Sequence, residues 1–357
     1  MHTKRTTKQR RPLTALLLLA VLALLATSCG RSEDTGKGGG SDGGGGGNGD
    51  GESGAVVDTA DCPDTGTAGI DGDTIKLASS FPQSGLTSAF AQISKGYLAY
   101  FDKVNAEGGV EVAGKKYKIE VTAKDDEYKP ASTAQNIESE VGTDGTDAFA
   151  VFNVVGTANN VAIRDDLNDL CVPNIFAATG SPVWGNESYP WTIGSTLAPY
   201  TVEAKAFADY LKENKPDAKV AMLVQNDDFG KAYEEGFKQQ IEGSDITVTQ
   251  VKTYEAGTDE VTAEVTSLKA SGADTFFNGA TLLACPNALN AADEQGWDAV
   301  TFVSGTCISK TLMGIAGEAA DGVFATTNIK DPLNPAFAND SAMKEYNETL
   351  KEYGAKD

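Results

Sequence analysis

Histidine is all but missing from this chain: the only one is His2. It falls in a 28-residue leader that reads as removable, so the remaining chain carries no imidazole. That excludes Ser-His-Asp and Cys-His activation of a nucleophile, and any metal site that needs imidazole ligands. Cysteine is scarce as well, with five in 357 residues. No two stand in C-x-x-C spacing, which argues against a redox motif or zinc knuckle. No G-x-G-x-x-G follows the first strand pattern and no P-loop occurs, so a nucleotide cradle is lacking. Neither a cofactor nor a metal is expected. Positive charge is short too: 29 Lys and Arg against 51 Asp and Glu give a net −22. Taking away the five positive residues of the leader leaves −27. A body that acidic repels nucleic acid and anionic lipid headgroups.

What is present begins with the leader itself. Lys4, Arg5, Lys8, Arg10 and Arg11 form a basic head, Leu13 to Ala26 is almost wholly apolar, and Ala26-Thr27-Ser28 are small. This is the layout of a secretory signal peptide over residues 1–28. The apolar run falls short of the roughly 20 residues a membrane-spanning helix needs. Small residues directly before Cys29 resemble a bacterial lipobox, in which Cys29 becomes the lipidated first residue of the mature chain. Residues 29–60 then read as a tether. Gly30 to Gly54 has no large apolar side chain and cannot offset the cost of ordering. About 30 such residues average roughly 30 Å end to end. The chain is thus expected to be exported and held by lipid on the outer face of the cell membrane.

From Asp73 onward strand and helix patterns alternate. "TIKLASS" reads as a strand, and Leu86, Phe90, Ile93, Tyr97, Phe101 and Val104 then recur at helical spacing up to Gly108-Gly109. "KYKIEVTAKDD", "DAFAVFNVV" and "VPNIFAA" are further strands, separated by the helices "KPASTAQNIESEV" and "TANNVAIRDDLNDL". The pattern resumes after Gly194 to Leu197 with the strands "AKVAMLVQND", "DITVTQVKTY", "ADTFFNGA", "VTFVSG" and "DGVFATTNI", again with helices between them. Such alternation means parallel sheets covered on both faces, hence an α/β fold with two tandem βα domains.

In open α/β sheets ligands bind beyond the carboxyl ends of the strands. There the chain places Phe81-Pro82-Gln83-Ser84-Gly85, Val155-Gly156-Thr157 and Thr179-Gly180-Ser181. In the second domain the same positions hold Asp227-Asp228-Phe229-Gly230, Thr281 and Thr306-Cys307. Hydroxyls and glycines at helix N-termini suit a carboxylate or other small anion, although Ser and Thr are also ordinary caps. Asp125-Asp126-Glu127 and Asp227-Asp228 are candidate acid/base groups, but loop acids after strands are commonly solvated. Trp184, Tyr189 and Trp191 read either as a cleft wall or as packing. Besides Cys29, the four cysteines Cys62, Cys171, Cys285 and Cys307 argue for two disulfides in an exported chain. Sequence leaves all three pairings open.

"FPQSG…GYLAYFDKVNAEGGVEVAGKKYKIEV…KDDEYKPASTAQN", "VVGTANNVAIRDDLNDLCVPNIFAATGS", "AMLVQNDDFGKAY" and "GIAGEAADGVFAT" resemble type I periplasmic binding proteins of the Leu/Ile/Val-binding class. These are the substrate-binding subunits of amino-acid ABC transporters. The likeness runs from about Asp73 to the C-terminus. It implies two doubly wound lobes joined by three hinge crossings, with the ligand clamped between them. Residues 61–195 would form lobe one, 196–328 lobe two, and 329–357 the return to lobe one. The family continues beyond the equivalent of Asp357, so part of lobe one is expected to be missing. By matching position, Ser84, Val155, Gly156, Thr157, Thr179, Gly180 and Ser181 would hold a substrate carboxylate. Phe229, Thr281 and Thr306 would face it from lobe two. Two positions depart from the family pattern: Phe229 replaces a common tyrosine, and Thr306 stands where an acid often pairs with the α-ammonium. An amide or small organic acid is therefore as open as an amino acid. The resemblance further implies the bridges Cys62–Cys171 and Cys285–Cys307.

The expected function is that of a monomeric, non-enzymatic lipoprotein that captures a small polar solute by hinge closure and delivers it to an ABC permease. A tethered sensor of the same fold, signalling to a partner, is the alternative. A carboxylate-dependent hydrolase is a more distant one.

Overall fold

A computed structural model describes residues 68–354 together with Val57, Thr59, Ala60, Cys62 and Pro63. The leader, Cys29 and the Gly-rich segment lie outside the described residues.

The first sheet has seven strands: β1 (Ile70–Asp71), β2 (Thr74–Phe81), β3 (Val110–Val112), β4 (Lys115–Asp125), β5 (Ala150–Phe152), β6 (Asn174–Ala177) and β7 (Thr192–Gly194). Their path is β3-β4-β2-β5-β6-β7, with β1 turned back antiparallel on β2. From β4 to β7 every pairing is parallel. Helices α1 (Ala91–Ala106), α2 (Pro130–Val141) and α3 (Thr157–Asp169) make the crossovers. Proline at the first position of α2 costs nothing, because that N–H has no helical partner anyway.

The second sheet is wholly parallel, in the order β11-β10-β8-β9. Its strands are β8 (Lys219–Gln225), β9 (Thr247–Tyr254), β10 (Thr275–Gly279) and β11 (Val300–Val303). Its helices are α4 (Tyr200–Asn214), α5 (Asp228–Ile241), α6 (Thr262–Ala270), α7 (Ala284–Glu294) and α8 (Lys310–Ala316). Strand β8 shows why both faces must be covered. Val220, Met222 and Val224 enter the core under α4 and α5, whereas Ala221 and Leu223 enter the core under α6 and α7. Side chains alternate across a strand, so an apolar run without polar breaks needs helices on both sides. The final helix, α9 (Ser341–Tyr353), returns to the first sheet and packs on α1, where Lys103 Nζ meets Glu345 Oε1 at 2.7 Å.

The parallel α/β architecture expected from the alternation is the one observed. Differences are local. Strands β1, β3 and β7 escape the pattern because two or three residues carry no period. Conversely, "DGVFATTNI" forms no strand, only an isolated bridge between Phe324 and Phe302. The first turn of the expected long helix is a 3-10 segment, Gly85–Phe90. Two disulfides are present: Cys62–Cys171, with Cα atoms 5.7 Å apart, and Cys285–Cys307 at 6.1 Å. Bridges closing loops of these lengths stabilise by about 3 to 5 kcal/mol each.

The second core is anchored by Phe277, fully buried with ring centroids of Phe302 at 4.9 Å, Phe237 at 5.4 Å and Tyr233 at 5.7 Å. Phe277→Ala should destabilise the chain by about 3 to 5 kcal/mol, as a buried ring replaced by a cavity does. Chemical denaturation read by tryptophan fluorescence will measure it.

Candidate functional site

Loops at the carboxyl ends of the parallel strands of both sheets converge on one buried cluster. The wall from the first sheet is built on a glycine. Gly156, just after β5, takes φ +103°, and a Cβ there would lie 2.6 Å from the Tyr128 ring. Only glycine permits both that backbone and that contact. The turn is pinned from below by a buried amide: Asn160 Nδ2 donates to the carbonyls of Val154 and Gly156, each at 2.8 Å. Beside it the Thr157 and Thr179 hydroxyls share a hydrogen bond of 2.6 Å, and the Ser181 N–H donates to Thr179 Oγ1 at 3.2 Å. Val155 bridges Ala178, which joins the two turns.

The wall from the second sheet begins at Gln225, the last residue of β8. Its Nε2 donates to Asp227 Oδ2 at 2.7 Å. Asp227 is also the N-cap of α5, accepting from the N–H groups of Phe229 and Gly230 at 3.0 and 3.2 Å. The Tyr254 hydroxyl accepts from the Thr281 N–H at 3.0 Å and donates to Gln225 Oε1 at 3.4 Å. Thr281 Oγ1 is buried and has no hydrogen-bond partner among the described residues.

Two tyrosines join the walls. The hydroxyl of Tyr128, from the loop after β4, interacts with the Gln225 side chain. Tyr200, opening α4, donates its N–H to the Gly180 carbonyl at 2.8 Å, and its ring meets that of Phe229 edge-on at 4.8 Å. A Cβ on Gly180 would lie 2.9 Å from the Tyr200 ring, so this contact also requires a glycine. Burial pushes the Tyr200 phenol up to about 12 and raises those of Tyr128 and Tyr254 as well. All three stay neutral at physiological pH and serve as hydrogen-bonding groups.

Six of the sequence-predicted residues therefore stand together in the first wall: Val155, Gly156, Thr157, Thr179, Gly180 and Ser181. Phe229 and Thr281 reach them through Tyr200 and through Tyr254 with Gln225. Ser84 does not join them. It is exposed, and its hydroxyl and N–H are both taken by Asp125. Thr306 is half-buried and bonds Ser304 Oγ at 2.9 Å, some way along the second wall. Tyr189 lies under the Arg164 guanidinium at 3.7 Å and Trp184 packs on Gly194, so both act outside the cluster.

The candidate acids have structural partners. Asp125 fastens the loop after β2. Burial opposes its ionisation, but hydrogen bonds from Ser84, Gln83 and Glu127 outweigh this and hold its carboxyl below the usual range. Asp126 is buried, and accepts from Ser80 Oγ and Thr133 Oγ1 at 2.9 Å and from the Tyr128 N–H at 2.8 Å.

Sequence reasoning missed Tyr128, Tyr200, Gln225 and Tyr254 in the cluster, and Glu203, which is buried against Gly305 and Tyr233. Two of these had a readable signal. Gln225 is a polar residue ending an otherwise apolar strand. Glu203 is a lone acid on the stripe Tyr200, Ala204, Phe207, Ala208 and Leu211, which α4 buries.

The arrangement is that of a two-walled solute-binding protein, and the chain belongs to the periplasmic binding protein family, whose model matches residues 74–356. It is 25% identical over 269 residues to a leucine-, isoleucine-, valine-, threonine- and alanine-binding protein of Pseudomonas aeruginosa, covering 74% of this chain and 70% of that one. It is 28% identical to Leu/Ile/Val-binding protein homolog 3 of Brucella melitensis, covering 73% and 68%. Among solved structures, a substrate-binding periplasmic protein of Ralstonia solanacearum aligns with TM-score 0.67 and 26% identity over 79% of this chain and 77% of that chain. A fatty acid ABC transporter substrate-binding protein of Thermomonospora curvata shares the fold at TM-score 0.67 and 21% identity, over 80% and 71%.

Glu203 generates a pH prediction. Burial raises its carboxyl pKa above the ordinary 4.5, against the lowering effect of the Gly305 N–H and the Tyr233 and Thr326 hydroxyls. The folded state therefore holds its proton more tightly than the unfolded state. This group's contribution to stability is fully present below about pH 4.5 and is lost as pH rises through the folded-state value. In Glu203→Gln the decline in stability from pH 4 to pH 7 should be shallower than in the parent, as denaturant midpoints across that range will show.

Proposed function

We propose that this chain is the substrate-binding component of an ABC importer, held on the extracytoplasmic face of the cell membrane by lipid on Cys29. It captures an amino acid or similar small polar solute between two lobes, one built on each sheet. The observation that carries this reading is the buried, two-walled cluster of hydroxyls and amides with one unpaired hydroxyl at Thr281. A buried polar atom without a partner costs about 1 to 3 kcal/mol, and a solute bonding to it recovers that cost. The hydroxyls of Thr157, Thr179 and Ser181 and the turn at Gly156 supply the opposite contacts. Ligand contacts to both walls favour the closed arrangement over the open one, which is how binding drives closure. The relatives named for branched-chain amino acids support an amino acid as the solute, while the fatty acid-binding neighbour shows that the fold alone does not choose it. The protein acts without chemistry on its ligand: Asp125, Asp126 and Asp227 are each occupied by hydrogen bonds that organise their own loops.

Thermal shift and titration calorimetry with amino acids, amides and small organic acids test the reading, since a bound solute raises the melting temperature by mass action. Thr157→Val and Thr281→Val should each weaken the best solute at least tenfold, about 1.4 kcal/mol, with the free protein still melting cooperatively. Unchanged affinity in both variants would refute the site, and conversion of the solute on incubation would refute a binding-only role.

A further inference from the structure

Thr281 sits on a turn that its own residues do little to hold. Residues 280–283 alone join the end of β10 to the start of α7. Leu282, directly after Thr281, takes φ +52°, a left-handed backbone that a bulky side chain adopts only at a cost. Strain of this kind persists only where the surroundings over-determine it. The helix start contributes little, because its N-cap is Leu283, which has no side-chain acceptor to offer the first turn.

The ties come from the strand ends instead. Ser304, just past β11, donates from Oγ to the Ala280 carbonyl at 2.7 Å. Asn278, in β10, donates from Nδ2 to the Cys285 carbonyl at 3.1 Å, and its Oδ1 accepts from the Ala280 N–H at 3.3 Å. The covalent tie is the Cys285–Cys307 bridge, both of whose residues are fully buried. One end closes on the first turn of α7 and the other on the residue after Thr306. The bridge therefore fastens the loop that carries Thr281 to the loop that follows β11. The other bridge, Cys62–Cys171, is placed differently. Cys171 lies just past the C-terminal end of α3, whereas Thr157 opens that helix, roughly 20 Å away at 1.5 Å per residue.

We propose that the Cys285–Cys307 bridge is a positioning device for the solute site: it holds the strained turn so that Thr281 is in place before the solute arrives. A loop kept in its bound conformation spares association the cost of ordering it, so this bridge raises affinity as well as stability. Cys62–Cys171 raises stability alone. The affinity part rests on the proposed solute-binding function, while the hold on the turn is read in the free protein.

Hydrogen exchange and calorimetry on the purified chain test this, with L-leucine as the probe. In the parent the Ala280 and Thr281 amides are hydrogen-bonded to Asn278 and Tyr254. In Cys285→Ala/Cys307→Ala they should exchange at least roughly tenfold faster, with the amides of β8 unchanged. L-leucine should bind that variant at least roughly tenfold more weakly. Thr281→Val should cost about tenfold in the bridged chain and less than about threefold without the bridge, a non-additivity that a merely stabilising bridge does not produce. Cys62→Ala/Cys171→Ala should lower the melting temperature and leave both the affinity and the exchange at the turn unchanged. If the alanine pair does not melt cooperatively, Cys285→Val/Cys307→Ala refills the lost volume and takes its place. Failure of that pair to fold as well makes the bridge purely structural and overturns the inference. Unchanged exchange at the turn overturns it, as does an equal cost of Thr281→Val with and without the bridge. Faster exchange in a chain that binds no L-leucine supports the hold on the turn and counts against an amino acid as the solute, so the two failures are distinct.

Discussion

The second sheet leaves neither face in water, and the placement of its polar groups follows from that constraint. With both faces of β8 and β10 covered by helices, no polar group can act from the flat of the sheet. Polar side chains are displaced to the strand ends, where ladder pairing stops and a loop turns into the next helix. The strand ends of both sheets bring Gly156, Thr179, Gln225 and Thr281 to one place, although 125 residues separate the first from the last.

The chemistry of that place is set by what glycine allows. At Gly156 a left-handed turn lets the Tyr128 ring lie directly on the backbone, and at Gly180 the Tyr200 ring does the same. The aromatic groups close the cluster and carry hydroxyls that stay protonated because burial disfavours the phenolate. The cluster's hydroxyls and amides can hold a polar solute by hydrogen bonds, while the Asp227 carboxylate beside them is engaged by Gln225 and by the first turn of α5. That is in keeping with the proposed carrier role.

Charge is confined to particular positions. Asp126 is a buried and Asp227 a half-buried carboxylate, each satisfied by three hydrogen bonds, and those bonds shape the loops on which Tyr128 and Phe229 sit. Glu203 is buried as well, held by the Gly305 N–H and the Tyr233 and Thr326 hydroxyls, and it opens on a pocket. The segments beside that pocket, 195–199 and 326–329, are also the places where the chain passes between the two sheets. A charge placed there lies next to the backbone that must bend if the walls separate.

The sequence alone determined the class of fold, because alternation of period-two and period-3.6 stretches is a local property that each strand and helix carries within itself. It also pointed to the hydroxyl-bearing turns at Thr157, Thr179 and Thr281, since strand ends can be counted along the chain. Tertiary structure decided which of these groups meet: Ser84 was turned away by Asp125, while Tyr128, Tyr200 and Tyr254 were brought in. It also put a carboxylate from α4 beside Gly305, some hundred residues away along the chain. Nothing in a linear pattern records such pairings, because they depend on the relative placement of two sheets, and that is fixed by packing between residues far apart in sequence.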